Sequence, residues 1–415
     1  MSGLLAEERV RGPAEASQEK ALICELAARA CREAFGSGLT SLVLTGSLAR
    51  DEATFARREA GVVLRGDAEF VLLFDGRVPL PSGDRVAALE RAIEAQLEEH
   101  ALTAAIGLHP CQAKYLQSLP PHISAYELRA CGQVVWGDAG APSLVSAFTC
   151  ADIPCEDAFR ILCNRLVELL WPLSCLDRPG RPPSSELRYR TTKLYLDMAT
   201  SFLVFAGEYV PTYQGRAESL EKLARGESRL GGAPFALRPF AARVASCTRI
   251  KLGLDPEVDA SMGWTFWRQA VLDAHALWRW ELARLTGSDA NETDGVLWER
   301  WRRRQPRGQR VRGWLHVVRA CGWHRSWRHW AHWARLGLRA SPRSCVYAAG
   351  TTLLFALPLV IGREEPWPTG CDHWMELERG LPVRAPVATG DREPWQQVAA
   401  SVYLNYQEFL INTRS

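Results

Sequence analysis

The chain has no Cys-x-x-Cys pair, although cysteine occurs twelve times in its 415 residues. Cys150, Cys155 and Cys163 cluster, but no histidine stands at zinc-finger spacing from them, which argues against a cysteine-framed zinc site. Residues 1–8 turn acidic within a few positions and carry no apolar signal run. A cytoplasmic protein with reduced thiols is therefore expected. No internal repeat occurs at solenoid periods. The net charge of +3 is too small to name a partner. Disorder is excluded by ordinary fractions of apolar (47%) and charged (23%) residues, and the length suggests two or three domains.

What is present is ordered. Ala21, Leu22, Cys24, Leu26, Ala27, Cys31 and Phe35 recur at helical spacing over 17–36, where Gly36-Ser37-Gly38 stops the helix. Residues 39–45 are a short β-branched run, which predicts a buried strand. A second strand is expected at 69–74, an amphipathic helix at 84–99, and a third strand at 102–108 that ends at His109-Pro110. A last strand at 133–136 is closed by Gly137-Asp138. This alternation predicts an α/β (α+β) region, a mixed sheet with flanking helices, over 1–145. Helices are then expected at 155–175, 186–207, 217–226, 235–251 and 264–285, with a loop at 179–183 and a polar linker at 286–295. The expected domains are 1–145, a helical 146–290 and a basic, tryptophan-rich 291–415.

The segment Gly46-Ser47-Leu48-Ala49-Arg50-Asp51-Glu52 follows a predicted strand and opens what reads as a helix. Glycine lets backbone approach a ligand closely, and a serine hydroxyl with free amides suits a phosphate. Some twenty residues on, Asp67-Ala68-Glu69 opens the next predicted strand. Residues two apart on a strand share a side, so two carboxylates can meet there, the ligand type that hard cations such as Mg²⁺ take.

The order strand, Gly-Ser, helix, Asp-x-Glu, strand resembles the polymerase-beta-type nucleotidyltransferases. Gly46-Ser47-x-Ala49-Arg50-x-Glu52 is most similar to their antibiotic-modifying and minimal branch. The resemblance implies transfer of a nucleoside monophosphate from ATP or another NTP to a hydroxyl acceptor, a small molecule or protein being favoured, with release of pyrophosphate. It implies that Gly46 and Ser47, with Arg50, contact the triphosphate, and that Asp67 and Glu69 hold Mg²⁺ or Mn²⁺. By the same resemblance Lys193, on the helix at 186–207, is a phosphate ligand, and Tyr213 and Arg216 serve the nucleotide.

One departure stands out. The family carries a third carboxylate on a neighbouring strand, and residues 103–109 contain no acid. Either His109, the nearest titratable group, substitutes as base, or the fold is a catalytically inactive binding or scaffold module.

Residues 300–343 hold thirteen arginines and no acid, interleaved with Trp301, Trp314, Trp323, Trp327, Trp330 and Trp333. Trp323, Trp327 and Trp330 follow i, i+4, i+7, the spacing of one helical face. Residues 345–361 are uncharged. Three readings fit: peripheral membrane contact, stacking and charge against nucleic acid, or a helical domain whose tryptophans fill its core.

Overall fold

The computed structural model describes the whole chain except residues 1–8, 12–15, 60, 177–181, 227–231, 256–261, 323–326, 328, 360, 362–371, 386–392 and 412–415. Most of the expected loop at 179–183 lies outside the described residues. The fold is mixed α/β. Packing gathers the chain into two units, each assembled from separate stretches. One contains 1–157, 203–229 and 237–259, and the other 158–202, 230–236 and 260–415.

The first unit is built on a six-stranded sheet. Strand β2 (Leu39–Thr45) lies between β6 (Gln133–Gly137) and β4 (Gly61–Phe74), antiparallel to both. Its LTSLVLT sequence suits that central place, and even Ser41 is fully buried. Strand β5 (Leu102–Gln112) runs parallel along the other edge of β4. Helices α1 (Ser17–Phe35) and α3 (Gly83–Glu99) supply Ile23, Leu26, Ala27, Ile93 and Leu97 to a core shared with Ala68, Phe70, Leu72, Ile106 and Leu108. Alternate β4 and β5 residues thus enter this core, and those between them point to the opposite side.

Two strand expectations are corrected. Strand β4 begins at Gly61, not Glu69, because part of the stretch between the two motifs folds back as strand β3 (Phe55–Arg58), with β1 (Arg9–Arg11) beyond it. Strand β5 passes through His109 and Pro110 to Gln112. Among the described residues it pairs with β4 alone, and proline is tolerated on such an edge strand.

After β5 come helices α4 (Ala113–Gln117) and α5 (Ile123–Cys131). The unit also takes in α9 (Tyr213–Ala224), capped by the Thr212 side chain, and α10 (Leu237–Lys251).

The second unit is helical, with α6 (Cys155–Glu168), most of α8 (Ser185–Ala206) and the helix Trp264–Thr286 among its members. Trp267, Trp301, Trp395, Tyr195 and Phe202 fill its interior. The helix Pro342–Ala356 carries most of the uncharged run and buries Val346, Tyr347, Ala349, Leu353 and Leu354. That helix is therefore part of the core, and no described helix is long and apolar enough to cross a membrane. The polar stretch at 286–295 is a tight turn inside this unit, held where Arg300 donates to Ser288 Oγ and Arg279 to the Ala290 carbonyl. The tryptophan spacing does not give one continuous helix. A helix starts only at Trp330, Trp327 stands in the turn before it, and Trp323 lies outside the described residues.

Candidate functional site

The Gly-Ser and Asp-x-Glu segments meet, because β2 pairs with β4. Thr45, the last residue of β2, lies opposite Glu69, so the chain turns at Gly46 directly beside that carboxylate. Gly46 has φ +72°, and a Cβ there would lie 3.0 Å from Glu69 Oε2. Only glycine meets both demands cheaply. The helix expected at Gly46-Ser47 is a single four-residue turn (Gly46–Ala49), too short to bring a helix dipole to bear.

Asp67 and Glu69 share the face of β4 opposite the core, with Asp67 exposed and Glu69 half-buried. Their cross-strand neighbours on β5 are Ala105 and Gly107, the places where an acid on that strand would face them. Gly107 leaves space instead. A Cβ there would sit 3.4 Å from His109 Nε2 and 3.7 Å from Glu69 Cγ, so both side chains reach over it. Burial pushes the Glu69 carboxyl up. His109 and Arg50 pull it back, Asp67 and Glu127 push further, and the net direction is upward.

Glu127, on α5, is the acid that the sequence did not point to. It is the hub of a buried network. Arg50 donates to Glu52 Oε2 at 3.0 Å and to Glu127 Oε2 at 2.7 Å. Arg216 donates to Glu127 Oε1 at 2.7 Å, to the Tyr209 hydroxyl at 2.8 Å and to the Val210 and Pro211 carbonyls. The Tyr209 hydroxyl donates to Glu127 Oε1 at 2.5 Å, and the Tyr213 amide to Glu52 Oε1 at 2.5 Å. The Tyr213 ring takes the Arg50 and Arg216 guanidinium groups at 5.5 and 5.0 Å. Arg50 and Arg216 side chains are about 5% and 4% exposed.

Three of the expected nucleotide ligands, Arg50, Tyr213 and Arg216, are thus brought together near the acids. Their charges and polar groups are engaged in holding the 46–52 turn against α5 and α9. A cavity of about 390 Å³ opens beside that turn, walled by Asp51, Glu52, Thr212, Gln214 and Leu254. Asp67 and Glu69 do not line it. Lys193 lies in the second unit, with its Nζ 5.7 Å from the Tyr189 ring centre. Although burial opposes it, Arg165 and then Lys193 help to hold the Glu168 carboxyl low.

One signal could have exposed Glu127. Two arginines at near-zero exposure need carboxylates, and Glu52 alone cannot serve both.

No family model matches the sequence, and no curated protein matches it. Among solved structures, spectinomycin adenyltransferase from Enterococcus faecialis, crystallised with ATP and spectinomycin, aligns at 12% identity and a TM-score of 0.35. The alignment covers 61% of this chain and 98% of that one. The likeness is too loose to transfer any property.

Proposed function

We propose that the face formed by Gly46, Ser47, Asp67 and Glu69 is a nucleotide-and-metal site, and that the protein is a nucleotidyltransferase moving a nucleoside monophosphate from ATP or another NTP to a hydroxyl acceptor. The observation that carries this reading is the approach of the Gly46 backbone to the Glu69 carboxylate, with Asp67 on the same strand face. A positive-φ glycine and a serine stand beside two carboxylates.

The donor set fits a hard divalent cation. Burial and two like charges raise Glu69, a situation that a cation relieves. Among the described residues no group of three His, Cys, Asp or Glu side chains is arranged to hold a metal. Asp67 and Glu69 would hold Mg²⁺ or Mn²⁺, with phosphate oxygens and water completing its shell, and the cation would neutralise charge developing on the leaving pyrophosphate. Ser47 and the Gly46 backbone would bind phosphate. His109, exposed and leaning over Gly107 toward Glu69, would take the proton of the acceptor hydroxyl as its oxygen bonds to the α-phosphorus and pyrophosphate leaves.

A second reading has its own support. Ala105 and Gly107 occupy the places opposite Asp67 and Glu69, and Glu127 already accepts from two arginines and a tyrosine. Nothing on β5 replaces a third acid except His109, which suits a module that binds nucleotide without turnover. The test is α-labelled NTP with Mg²⁺ or Mn²⁺ and a cell extract as acceptor source. The Asp67→Ala, Glu69→Ala double variant, folded by circular dichroism, is expected to lose transfer of label. Full transfer in that variant overturns the site. Nucleotide binding without label transfer by the unaltered protein favours the binding module.

A further inference from the structure

Two helices of the second unit, close in sequence, lie against each other like the arms of a hairpin and carry an exposed outer surface. The arms are the helices Arg307–Cys321 and Trp330–Arg339. The inner side is well anchored. Val317 and Trp333 pack with Phe409, and the Trp333 indole donates to the Pro382 carbonyl at 2.8 Å. Arg310 donates to the Leu338 carbonyl and the Trp314 indole to that of Ala340, so the first turns of one arm lie along the last turn of the other.

The outer side is amphipathic in an unusual sense. On the first arm Arg307, Val311, Leu315 and Arg319 follow i, i+4, i+8, i+12, and all are exposed, Val311 at 59% and Leu315 at 53%. On the second, Trp330, Ala334 and Leu338 form an exposed line beside Arg335 and Arg339, with Leu338 exposed at 82%. Trp327 projects from the preceding turn. Arg307, Arg312, Arg319, Arg335 and Arg339 are exposed and make no ion pair among the described residues. Arginines on the preceding helix are different: Arg300 pairs with Glu292, and Arg302 and Arg303 with Glu299. No acid occurs within 300–343 itself.

We propose that this outer face docks the protein on an anionic lipid surface. Arginine guanidinium groups suit lipid phosphates, forking two N–H donors onto each. Aliphatic side chains standing among them suit the boundary between headgroup and acyl chain, and indoles favour that depth. A nucleic acid would accept the arginines and stack on Trp327 or Trp330, but Val311, Leu315 and Leu338 offer no flat face to a base. The helix Pro342–Ala356, whose apolar residues are buried, takes no part, so the contact is peripheral.

The experiment is co-sedimentation of the full chain with phosphatidylcholine vesicles and with vesicles containing about one third phosphatidylglycerol, at low and high NaCl. Binding is expected to the anionic vesicles only and to weaken with salt. Arg335→Glu with Arg339→Glu should weaken it by at least about fivefold per site, given the pull of an anionic leaflet on each arginine. Leu315→Glu with Leu338→Glu, at exposed positions that leave the core intact, should weaken it about tenfold or more. Anionic-vesicle binding no stronger than to phosphatidylcholine, or binding unchanged in both folded variants, overturns the proposal. So does tight binding of a single-stranded oligonucleotide without vesicle binding.

Discussion

Glu281 should give the second unit a steep dependence on pH. It lies on the helix Trp264–Thr286 with zero exposure, and neither carboxyl oxygen has a hydrogen-bond partner among the described residues. Burial pushes its carboxyl up to about 8. In the unfolded chain the same group titrates near about 4.3. Below about pH 4.3 both states hold the proton, and Glu281→Gln changes little. Between there and pH 8 the unfolded chain has released its proton and the folded chain keeps it, so stability falls as pH rises. Over that window, at about 1.4 kcal/mol per pH unit, the loss reaches the order of 5 kcal/mol. Above pH 8 both states are ionised and the loss is constant. For a unit of roughly 200 residues this corresponds to a Tm about 10–20 °C lower than that of Glu281→Gln at pH 8. Melting followed by near-UV circular dichroism from pH 5 to 9 reads it directly. If wild type and Glu281→Gln lose Tm in parallel, Glu281 is hydrated or ionised in the folded protein, and the reasoning fails.

Two further outcomes concern the first unit. Gly46→Ala should cost about 1–2 kcal/mol from its left-handed backbone and lower label transfer more than stability alone explains, because the new methyl meets Glu69 Oε2 at 3.0 Å; a fully active Gly46→Ala protein would remove the glycine from the site. Glu127→Gln should cost about 3–5 kcal/mol in urea unfolding, since it leaves Arg50 and Arg216 buried with one carboxylate fewer. Glu127→Gln with unchanged unfolding would mean that water, not Glu127, satisfies those arginines.

Much of the first unit was legible because its signals are local. The strand at 39–45 and the helices at 17–36 and 84–99 follow from period and β-branching, and their observed bounds differ by one residue or none. The early start of β4 was hidden because Gly61-Val62-Val63-Leu64-Arg65-Gly66 has no clean alternation, and its pairing with β3 is decided by a hairpin, not by its own sequence. Helix α5 was hidden because its nine residues give periodicity too few turns to register. Glu127 went with it. In the second unit, the uncharged run at 345–361 reads the same in sequence whether it meets lipid or other helices. Only packing against the rest of the unit distinguishes them.

Arg50 shows how packing bears on a role that a motif suggests. After Gly-Ser, an arginine in sequence looks like a phosphate ligand. In the folded chain its guanidinium is buried at about 5% exposure, and such a charge must be matched by nearby anions. Glu52 and Glu127 do so, and Asp67, Glu69 and His109 are among the polar groups on the outward face of β4 and β5. The electrostatics then divide by depth. Beneath the 46–52 turn, Arg50 and Arg216 are interleaved with Glu52 and Glu127. On the β4 face, Asp67 and Glu69 stand two residues apart, and Glu69 is raised by burial and by the neighbouring carboxylates. An excess of carboxylate on a face whose supporting layer already satisfies its own charges favours a cation arriving from outside, and the proposed metal-and-nucleotide site rests on that imbalance more than on any single motif residue.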